Sequence, residues 1–337
     1  MTLNRRLFGT YAASLGLGAA VSLPLRAQNA QITLKYGTAF PADHPGTLRI
    51  KEAAELLRKD TGGRVDLQVY PASQLGSEQD MISQTRSGAI DMMSTAGTNL
   101  QTLVPIAGIN GVAFAFKDYA TVWSAMDGEL GGFVRAAMAR VNLQAFDKVL
   151  DNGYRNITTA SKAINSPADL KGFKIRVPGI PMWLSMFKAL GASPTAIPFG
   201  ELYSALQTKV VDGQENPLAL IQSAKLYEVQ KYCSLTGHTW DGHFIFGNAR
   251  KLQSLPKEVQ EALARHLNAA ALRQREDIAR LNHDAEAALS KAGIVFNRPD
   301  TAPFRALLRS AGFYAEWKEK LGEDAWNKLE KYAGDLA

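Results

Sequence analysis

Residues 166–217 read SPADLKGFKIRVPGIPMWLSMFKALGASPTAIPFGELYSALQTKVVDGQENP, and this stretch decides the fold prediction. Its residues 173–177 alternate apolar and basic side chains, a period of two that predicts a strand with one packed side. The pattern then predicts a helix over 182–190, a strand over 195–198, a helix over 201–209 and a strand over 214–216. Strands that alternate with helices in this way indicate an α/β fold.

Arg176 lies on the unpacked side of the first predicted strand, close to its carboxyl end. In open α/β sheets, ligands bind beyond the carboxyl ends of the strands. A guanidinium suits a carboxylate there because its rigid fork makes two parallel charge-assisted hydrogen bonds. Spacing alone leaves open the alternative of a surface arginine on an edge strand, since lone charged residues are usually exposed.

Several blocks of sequence in a fixed order decide between these alternatives. They are INS at 164–166, KGFKIRVP at 171–178, GASPT at 191–195, ALQT at 205–208 and DGQENP at 212–217, together with YPASQLG at 70–76 and NGYR at 152–155. This set resembles the extracytoplasmic solute receptors of tripartite ATP-independent periplasmic transporters, and among them the dicarboxylate and sialate branch. The similarity runs over nearly the whole mature chain.

The resemblance implies a two-lobed α/β receptor with mixed sheets, a ligand cleft between the lobes and a long helix spanning both. It also implies capture of a small organic acid and delivery to the integral membrane subunits of a permease, with hinge closure of the lobes on binding. No cofactor, metal or nucleic acid is expected as a partner, and the receptor is expected to be a monomer.

The resemblance also assigns binding residues by their positions in these blocks. Arg176, Arg155 and Asn216 match the residues with which the family grips the ligand carboxylate. Arg176 would be the bidentate clamp, Asn216 its partner and Arg155 the charge beside them. Phe199 matches an aromatic residue of the pocket wall, with core packing as the alternative. Glu78 matches an acid that sialate receptors use to accept hydrogen bonds from ligand hydroxyls, with a helix N-terminal charge as the alternative.

The choice of ligand depends on departures from the family pattern. Sialate receptors carry an acid in the loop after the third strand, where this chain has TAGT at 95–98, so sialate is disfavoured. The first lobe offers only Arg49 and His44 as cations for a second carboxylate. The residues of this lobe that can hydrogen-bond to ligand hydroxyls are Thr38, His44, Glu78, Thr95, Thr98 and Asn99. Trp183 and Trp240 could stack on a sugar face. A hexuronate such as glucuronate or galacturonate is therefore preferred, with a C4-dicarboxylate or another carboxylate as the alternative.

Residues 1–27 carry the pattern of an export signal, with Arg5-Arg6 first, then an uncharged stretch, then Ala27 at the cleavage point. The paired arginines fit the twin-arginine route as well as ordinary secretion. A membrane anchor is disfavoured because glycines and Pro24 interrupt the stretch. Cleavage would lower the formal net charge from +6 to +3, and the basic residues are scattered among acids rather than gathered in a nucleic-acid stripe. The mature protein is expected in the periplasm.

The mature chain alternates strands and helices up to residue 99, and the loops at 37–45, 76–80 and 95–99 are predicted to form one wall of the cleft. Residues 256–291 place apolar side chains on one stripe and predict a helix about 50 Å long. It is expected to lie across both lobes. Strand-like sequence returns near residue 244, so lobe I is assigned 30–152 and 241–280, and lobe II is assigned 153–240 and 281–337.

A secreted hydrolase is the alternative from another functional class. Ser185 and Lys188 match the spacing of serine-lysine acylases, but the companion motifs of that chemistry are absent and the stretch fits an amphipathic helix. His238, Asp241 and His243 follow no standard zinc spacing. No catalytic residue and no metal ligand is therefore predicted, and Cys233, the single cysteine, is expected to be buried.

Overall fold

The computed structural model describes residues 31–336, so the predicted signal at residues 1–27 lies outside the described residues. The strands are β1 (Ile32–Thr38), β2 (Val65–Tyr70), β3 (Met92–Ala96), β4 (Leu143–Ala145), β5 (Leu150–Tyr154), β6 (Asn156–Thr159), β7 (Lys174–Val177), β8 (Ser193–Ala196), β9 (Gly213–Asn216), β10 (Tyr232–Ser234), β11 (Trp240–Asn248) and β12 (Val295–Asn297). The helices are α1 (Pro45–Asp60), α2 (Glu78–Ser87), α3 (Tyr119–Met126), α4 (Glu129–Ala139), α5 (Pro181–Ala189), α6 (Leu202–Gln207), α7 (Leu218–Ser223), α8 (Ala249–Gln253), α9 (Lys257–Lys291), α10 (Ala302–Ser310), α11 (Phe313–Leu321) and α12 (Glu323–Ala333).

The first sheet has the strand order β2-β1-β3-β11-β4, and β5 also pairs with β11. Strands β1, β2 and β3 are parallel because α1 and α2 carry the chain back between them. Strand β11 runs antiparallel to β3, β4 and β5 and arrives from much later in the chain. The sheet is therefore mixed, and the carboxyl ends of its parallel strands lie at one edge.

The second sheet has the strand order β12-β10-β6-β9-β7-β8. Strands β7, β8 and β9 are parallel, while β6 is antiparallel to both β9 and β10. The predicted strand at 173–177 is present as β7, with Ile175 and Val177 fully buried. The predicted two-lobed α/β fold with mixed sheets is confirmed.

Local sequence signals explain where the first helices begin. His44 is the N-cap of α1 and its ring accepts a hydrogen bond from the backbone N–H of Gly46. Ser77 and Asp80 form a capping box at the start of α2, which satisfies two backbone donors that would otherwise have no partner. Helix α2 ends at Gly88, whose φ of 91° is in the left-handed region that glycine tolerates. These caps fix the loops that precede both helices.

The chain passes from the first sheet to the second at Arg155, between β5 and β6, and returns between β10 and β11. Helix α9 makes a third connection, because it packs on α1 and β5 at one end and reaches β12 at the other. Gln274 lies fully buried in this helix, and its amide bonds both the N–H and the C=O of Asp151. The predicted long helix across both lobes is therefore present and is fastened to β5.

Helices at the C-terminus contact elements from both predicted lobes. Helix α12 packs on α3 and α4, whereas α10 and α11 pack on α5. The assignment of residues 281–337 to lobe II, and the other lobe boundaries, stay a prediction. Cys233 is buried, as expected. Among the described helices, none is both long and apolar enough to cross a bilayer.

Candidate functional site

A cavity lies between the two sheets. All three loops predicted to form one wall contribute to it, and the second sheet supplies the opposite wall. The lining residues are Ala39, Phe40, Glu78, Ala96, Asn99, Asn152, Arg155, Arg176, Pro178, Ile180, Trp183, Phe199, Asn216, Leu220, Asp241 and His243. An adjoining opening of about 640 Å³ shares Glu78, Asn99, Arg176, Pro178 and Phe199 with it, so the cavity continues toward the surface on that side.

Arg176 is a buried cation whose terminal nitrogens are not used by acidic side chains. Its Nε donates a hydrogen bond to the carbonyl oxygen of Ile197 at 2.8 Å, which fixes the plane of the guanidinium. Within residues 31–336 it has no carboxylate at ion-pair distance, and one terminal nitrogen is buried without a partner. Burial lowers the pKa of Arg176 to about 10, since desolvation disfavours the charged form. The Arg176 guanidinium is therefore positioned to form an ion pair with an anionic ligand.

Arg155 is held in a different way, because the protein itself surrounds its guanidinium with acceptors. Glu215 accepts two hydrogen bonds at 2.5 and 2.9 Å, Asp241 accepts one at 3.0 Å, and the side-chain oxygen of Asn216 accepts one at 2.9 Å. The guanidinium also stacks over the ring of Trp183, 4.5 Å from its centroid. Arg155 thus joins β9 of the second sheet to β11 of the first.

Glu215 is the main counter-charge of Arg155 and was not among the predicted site residues. Burial raises the pKa of Glu215, but Arg155 and His238 outweigh burial and hold that pKa below its ordinary value. His238 lies 3.2 Å from the carboxylate. Since Glu215 is fully buried and next to Asn216, the motif at 212–217 supplies both a cavity residue and the acid that neutralises Arg155.

Asn216 lines the cavity, as predicted for a ligand contact, and its side chain is hydrogen-bonded within the protein. Its side-chain oxygen accepts from Arg155, and its amide nitrogen donates to Gln214. It has no hydrogen bond to Arg176 among the described contacts. Asn216 thus contacts Arg155, which lies between β5 and β6, and its role beside Arg176 at the ligand carboxylate stays a prediction.

Glu78 is the first residue of α2, and its carboxyl reaches the cavity. Thr95 donates a hydrogen bond to it at 2.5 Å, and Asn99 donates to the hydroxyl oxygen of Thr95 at 2.9 Å. Burial raises the pKa of Glu78, while the bond from Thr95 acts in the opposite direction. Thr95 therefore orients Glu78 from behind the cavity wall.

Two predicted aromatic residues lie in the wall. Trp183 is fully buried in α5 and its indole N–H donates to the carbonyl oxygen of Gly111 at 3.0 Å. Phe199 is half-buried and lines both the cavity and its outer opening. Together they give the second lobe a flat apolar surface beside Arg176 and Arg155.

The structure does not bring Trp240, His44 or Thr38 to the cavity wall. Trp240 and Asp241 are neighbours on β11 and point to opposite faces, so the indole packs away from the cavity and donates to Asp151 at 2.9 Å. His44 caps α1 and stacks on the far side of Phe40 at 4.1 Å. Thr38 accepts a hydrogen bond from the backbone N–H of Phe40. His44 and Thr38 thus fix the loop that carries Phe40 into the wall.

Asn152, Asp241, His243 and Phe40 line the cavity although the sequence did not single them out as ligand contacts. Asn152 donates to Asp241 at 3.0 Å, and the ring of His243 stacks on Phe40 at 4.2 Å with an interplanar angle of 11°. The spacing Asp241-Gly242-His243 on one strand was the available signal, since alternate residues share a face. Within residues 31–336, no three His, Cys, Asp or Glu side chains are grouped as metal ligands.

Ser185, the residue considered as a nucleophile, lies outside the cavity wall. It is half-buried in α5 and its hydroxyl donates to Glu316 of α11 at 3.0 Å. The side chain therefore joins two helices on the outer side of the second lobe.

Comparisons with known proteins agree with this geometry. The family described as bacterial extracellular solute-binding protein, family 7 (DctP), matches residues 36–319. The chain is 34% identical over 286 residues to the 2,3-diketo-L-gulonate-binding periplasmic protein YiaO of Escherichia coli, covering 85% of this chain and 86% of that protein. It is 30% identical over 320 residues to the sialic acid-binding periplasmic protein SiaP of Vibrio cholerae, covering 94% and 96%.

A solved structure gives the same picture at the level of the fold. The crystal structure of a TRAP periplasmic solute-binding protein from Roseobacter denitrificans, with bound β-D-glucuronate, superposes with a TM-score of 0.85. The two chains are 32% identical, and the match covers 90% of this chain and 99% of the other.

Proposed function

Because the chain belongs to family 7 of the bacterial extracellular solute-binding proteins, we propose that it is a receptor for a sugar acid of the hexuronate class. It would bind this ligand between its lobes and deliver it to a membrane permease of the tripartite ATP-independent type. The observation that carries the proposal is Arg176, a buried guanidinium in the cavity wall whose fork is not paired with an acid within residues 31–336.

The charges around the cavity favour a single ligand carboxylate. Arg155 and Arg176 are the basic residues of the described cavity wall, and Arg155 is already neutralised by Glu215 and Asp241. Only Arg176 is left to pair with a ligand anion. A second carboxylate would approach Glu78 or Asp241, so a monocarboxylate fits the site better than a dicarboxylate.

The apolar and polar parts of the wall suit a sugar ring. Trp183 and Phe199 offer flat surfaces, while Glu78, Asn99 and Asn152 offer polar groups for hydroxyls. The solved relative from Roseobacter denitrificans holds β-D-glucuronate, and the relative from Escherichia coli binds 2,3-diketo-L-gulonate. Both ligands are sugar acids of similar size, which supports the same class of ligand here.

The location and the absence of catalysis belong to the same proposal. The relatives are named as periplasmic binding proteins, and residues 1–27 carry an export pattern, so we place the mature receptor in the periplasm. The serine considered for a hydrolase is engaged by Glu316 outside the cavity, and the proposed receptor would release its ligand unchanged. Closure of the lobes over the ligand would give the permease a form to recognise.

A thermal-shift screen of the mature protein tests the proposal directly. The panel would contain uronates, aldonates, C4-dicarboxylates and keto acids, because a ligand bound only by the folded state raises the melting temperature by mass action. We expect the largest shift with D-glucuronate or D-galacturonate. A larger shift with succinate would favour the dicarboxylate alternative, and turnover of an ester or glycoside that is lost in Ser185→Ala would favour a hydrolase.

A further inference from the structure

Three buried polar atoms on the first-lobe side of the cavity have no hydrogen-bond partner within residues 31–336. They are the side-chain oxygen of Asn152, the Oδ1 of Asp241 and the Nδ1 of His243. All three residues line the cavity, and they lie on the adjacent strands β5 and β11. Buried polar groups are nearly always paired in folded proteins, so a cluster of unpaired ones at a cavity indicates that a ligand completes it.

The two oxygens are held in place by bonds made on their other sides. The Oδ2 of Asp241 accepts from Arg155 and from the amide of Asn152, both at 3.0 Å. This leaves Oδ1 of Asp241 and the amide oxygen of Asn152 as fixed acceptors. Acceptors of this kind need donors, and ligand hydroxyl groups supply them. A ligand carboxylate has no proton to donate, so it would leave these acceptors unpaired.

The ring of His243 is equally fixed. It stacks on Phe40, which stacks in turn on His44, and the three rings lie nearly parallel, with interplanar angles of 11° and 19°. Burial lowers the pKa of His243 well below its ordinary value, so the ring stays neutral. A neutral imidazole exchanges hydrogen bonds with a hydroxyl group but offers no charge to a second carboxylate.

We propose that Asn152, Asp241 and His243 form a hydroxyl-recognition wall, which selects polyhydroxylated monocarboxylates and discriminates against dicarboxylates. This inference rests on the proposed function, since it assumes that Arg176 holds the ligand carboxylate. The wall then determines which carboxylates are retained, by pairing its three open atoms with hydroxyls at the other end of the ligand.

The test measures selectivity by isothermal titration of D-glucuronate, D-galacturonate and succinate into the mature protein. The wild type is expected to prefer a uronate over succinate. His243→Phe keeps a flat ring on Phe40 but removes both ring nitrogens, and it should weaken uronate binding about tenfold while changing succinate binding less than about threefold. Lys174→Ala changes an exposed residue of β7 outside the cavity wall and should leave both affinities unchanged.

Asp241→Asn provides a second, nearly isosteric variant. It removes a negative charge and one acceptor from the wall, so uronate affinity should fall at least about tenfold while succinate affinity holds or rises. A wild type that prefers succinate would overturn the wall, and so would equal losses for uronate and succinate in these variants. If none of the three acids binds the wild type, the carboxylate receptor itself fails. If the wild type binds all three acids and Arg176→Lys weakens the binding of each, the carboxylate receptor stands. If His243→Phe and Asp241→Asn then leave the selectivity unchanged, only the proposed hydroxyl-recognition wall is refuted.

Discussion

Replacing Arg176 should separate ligand affinity from the stability of the free protein. Among the described residues Arg176 uses only its Nε, in the 2.8 Å bond to the carbonyl oxygen of Ile197, and its fork remains for the ligand. Truncating one partner of a buried, hydrogen-bonded charge pair costs about 2–5 kcal/mol of binding. Arg176→Ala should therefore raise the Kd for the best uronate by about 30-fold to about 4,000-fold. Arg176→Lys should lose nearly as much, because a point charge cannot make two parallel bonds.

The free energy of unfolding should behave differently for the two arginines of the cavity. Ligand-free Arg176 is a desolvated charge without an acidic partner within residues 31–336, so its removal should change stability by less than about 1 kcal/mol. Arg155→Ala leaves Glu215 and Asp241 as buried acids without their cation, which should cost about 3–5 kcal/mol. Chemical denaturation of the two variants without ligand measures this difference.

The assay pairs calorimetric titration with denaturation on the same protein preparations. Lys174→Ala is the matched control, because Lys174 lies two residues before Arg176 on β7 and is exposed. It should bind the uronate as the wild type does. The reasoning fails if Arg176→Lys binds normally, if Lys174→Ala loses as much affinity as Arg176→Ala, or if Arg176→Ala unfolds as easily as Arg155→Ala.

Three further outcomes are expected. His44 is buried with its pKa lowered to about 3, so the unfolded chain binds a proton that the folded protein does not, and stability falls as the pH drops below 6.5. His44→Asn keeps a capping acceptor and should reduce the loss of unfolding free energy between pH 7 and pH 5 by about 2 kcal/mol. If the unfolding free energy of this variant depends on pH as in the wild type, the reasoning about His44 is wrong. Gln274→Leu leaves the N–H and C=O of Asp151 buried and unpaired, so denaturant unfolding should show a loss of about 2–4 kcal/mol in the free energy of unfolding. A loss below about 1 kcal/mol would contradict this role of Gln274. Trp183→Phe removes the donor to the carbonyl of Gly111 and should lower stability by about 1–3 kcal/mol, whereas an unaltered melting curve would show that this bond is dispensable.

Local patterns in the sequence predicted the elements that carry the site. The alternation at 173–177 predicted β7 and placed Arg176 near its carboxyl end, and the observed caps of α2 at Ser77 and Gly88 are local features of the same kind. Each of these features depends on residues that are close together in the sequence. The information is therefore present in a short window of sequence.

The pairing of Arg155 could not be derived in this way. Its partners Glu215 and Asp241 lie 60 and 86 positions further along the chain, on strands of two different sheets. Nothing in the local sequence shows which acid meets which base across such distances. Gln274 is similar, because its hydrogen-bond partner Asp151 lies 123 positions earlier in the chain.

Trp240 is predicted to stack on a sugar face, and strand-like sequence is predicted to return only near residue 244. Strand β11 in fact begins at Trp240, so its alternation already applies there and turns Asp241 and His243 toward the cavity. Had the strand been extended four residues earlier, the same alternation would have indicated these two residues in place of the indole.

The position of β11 has a consequence for a chain that emerges N-terminus first. Its neighbours β3 and β4 are complete by residue 145, yet the strand that lies between them comprises residues 240–248. Throughout that interval both strands keep open edges, which are sites for pairing with other chains. The second sheet is completed even later in synthesis, because its strand β12 ends at residue 297. The newly made polypeptide therefore cannot complete either sheet until most of its length has been delivered, and its unpaired strand edges stay open to other chains over that period.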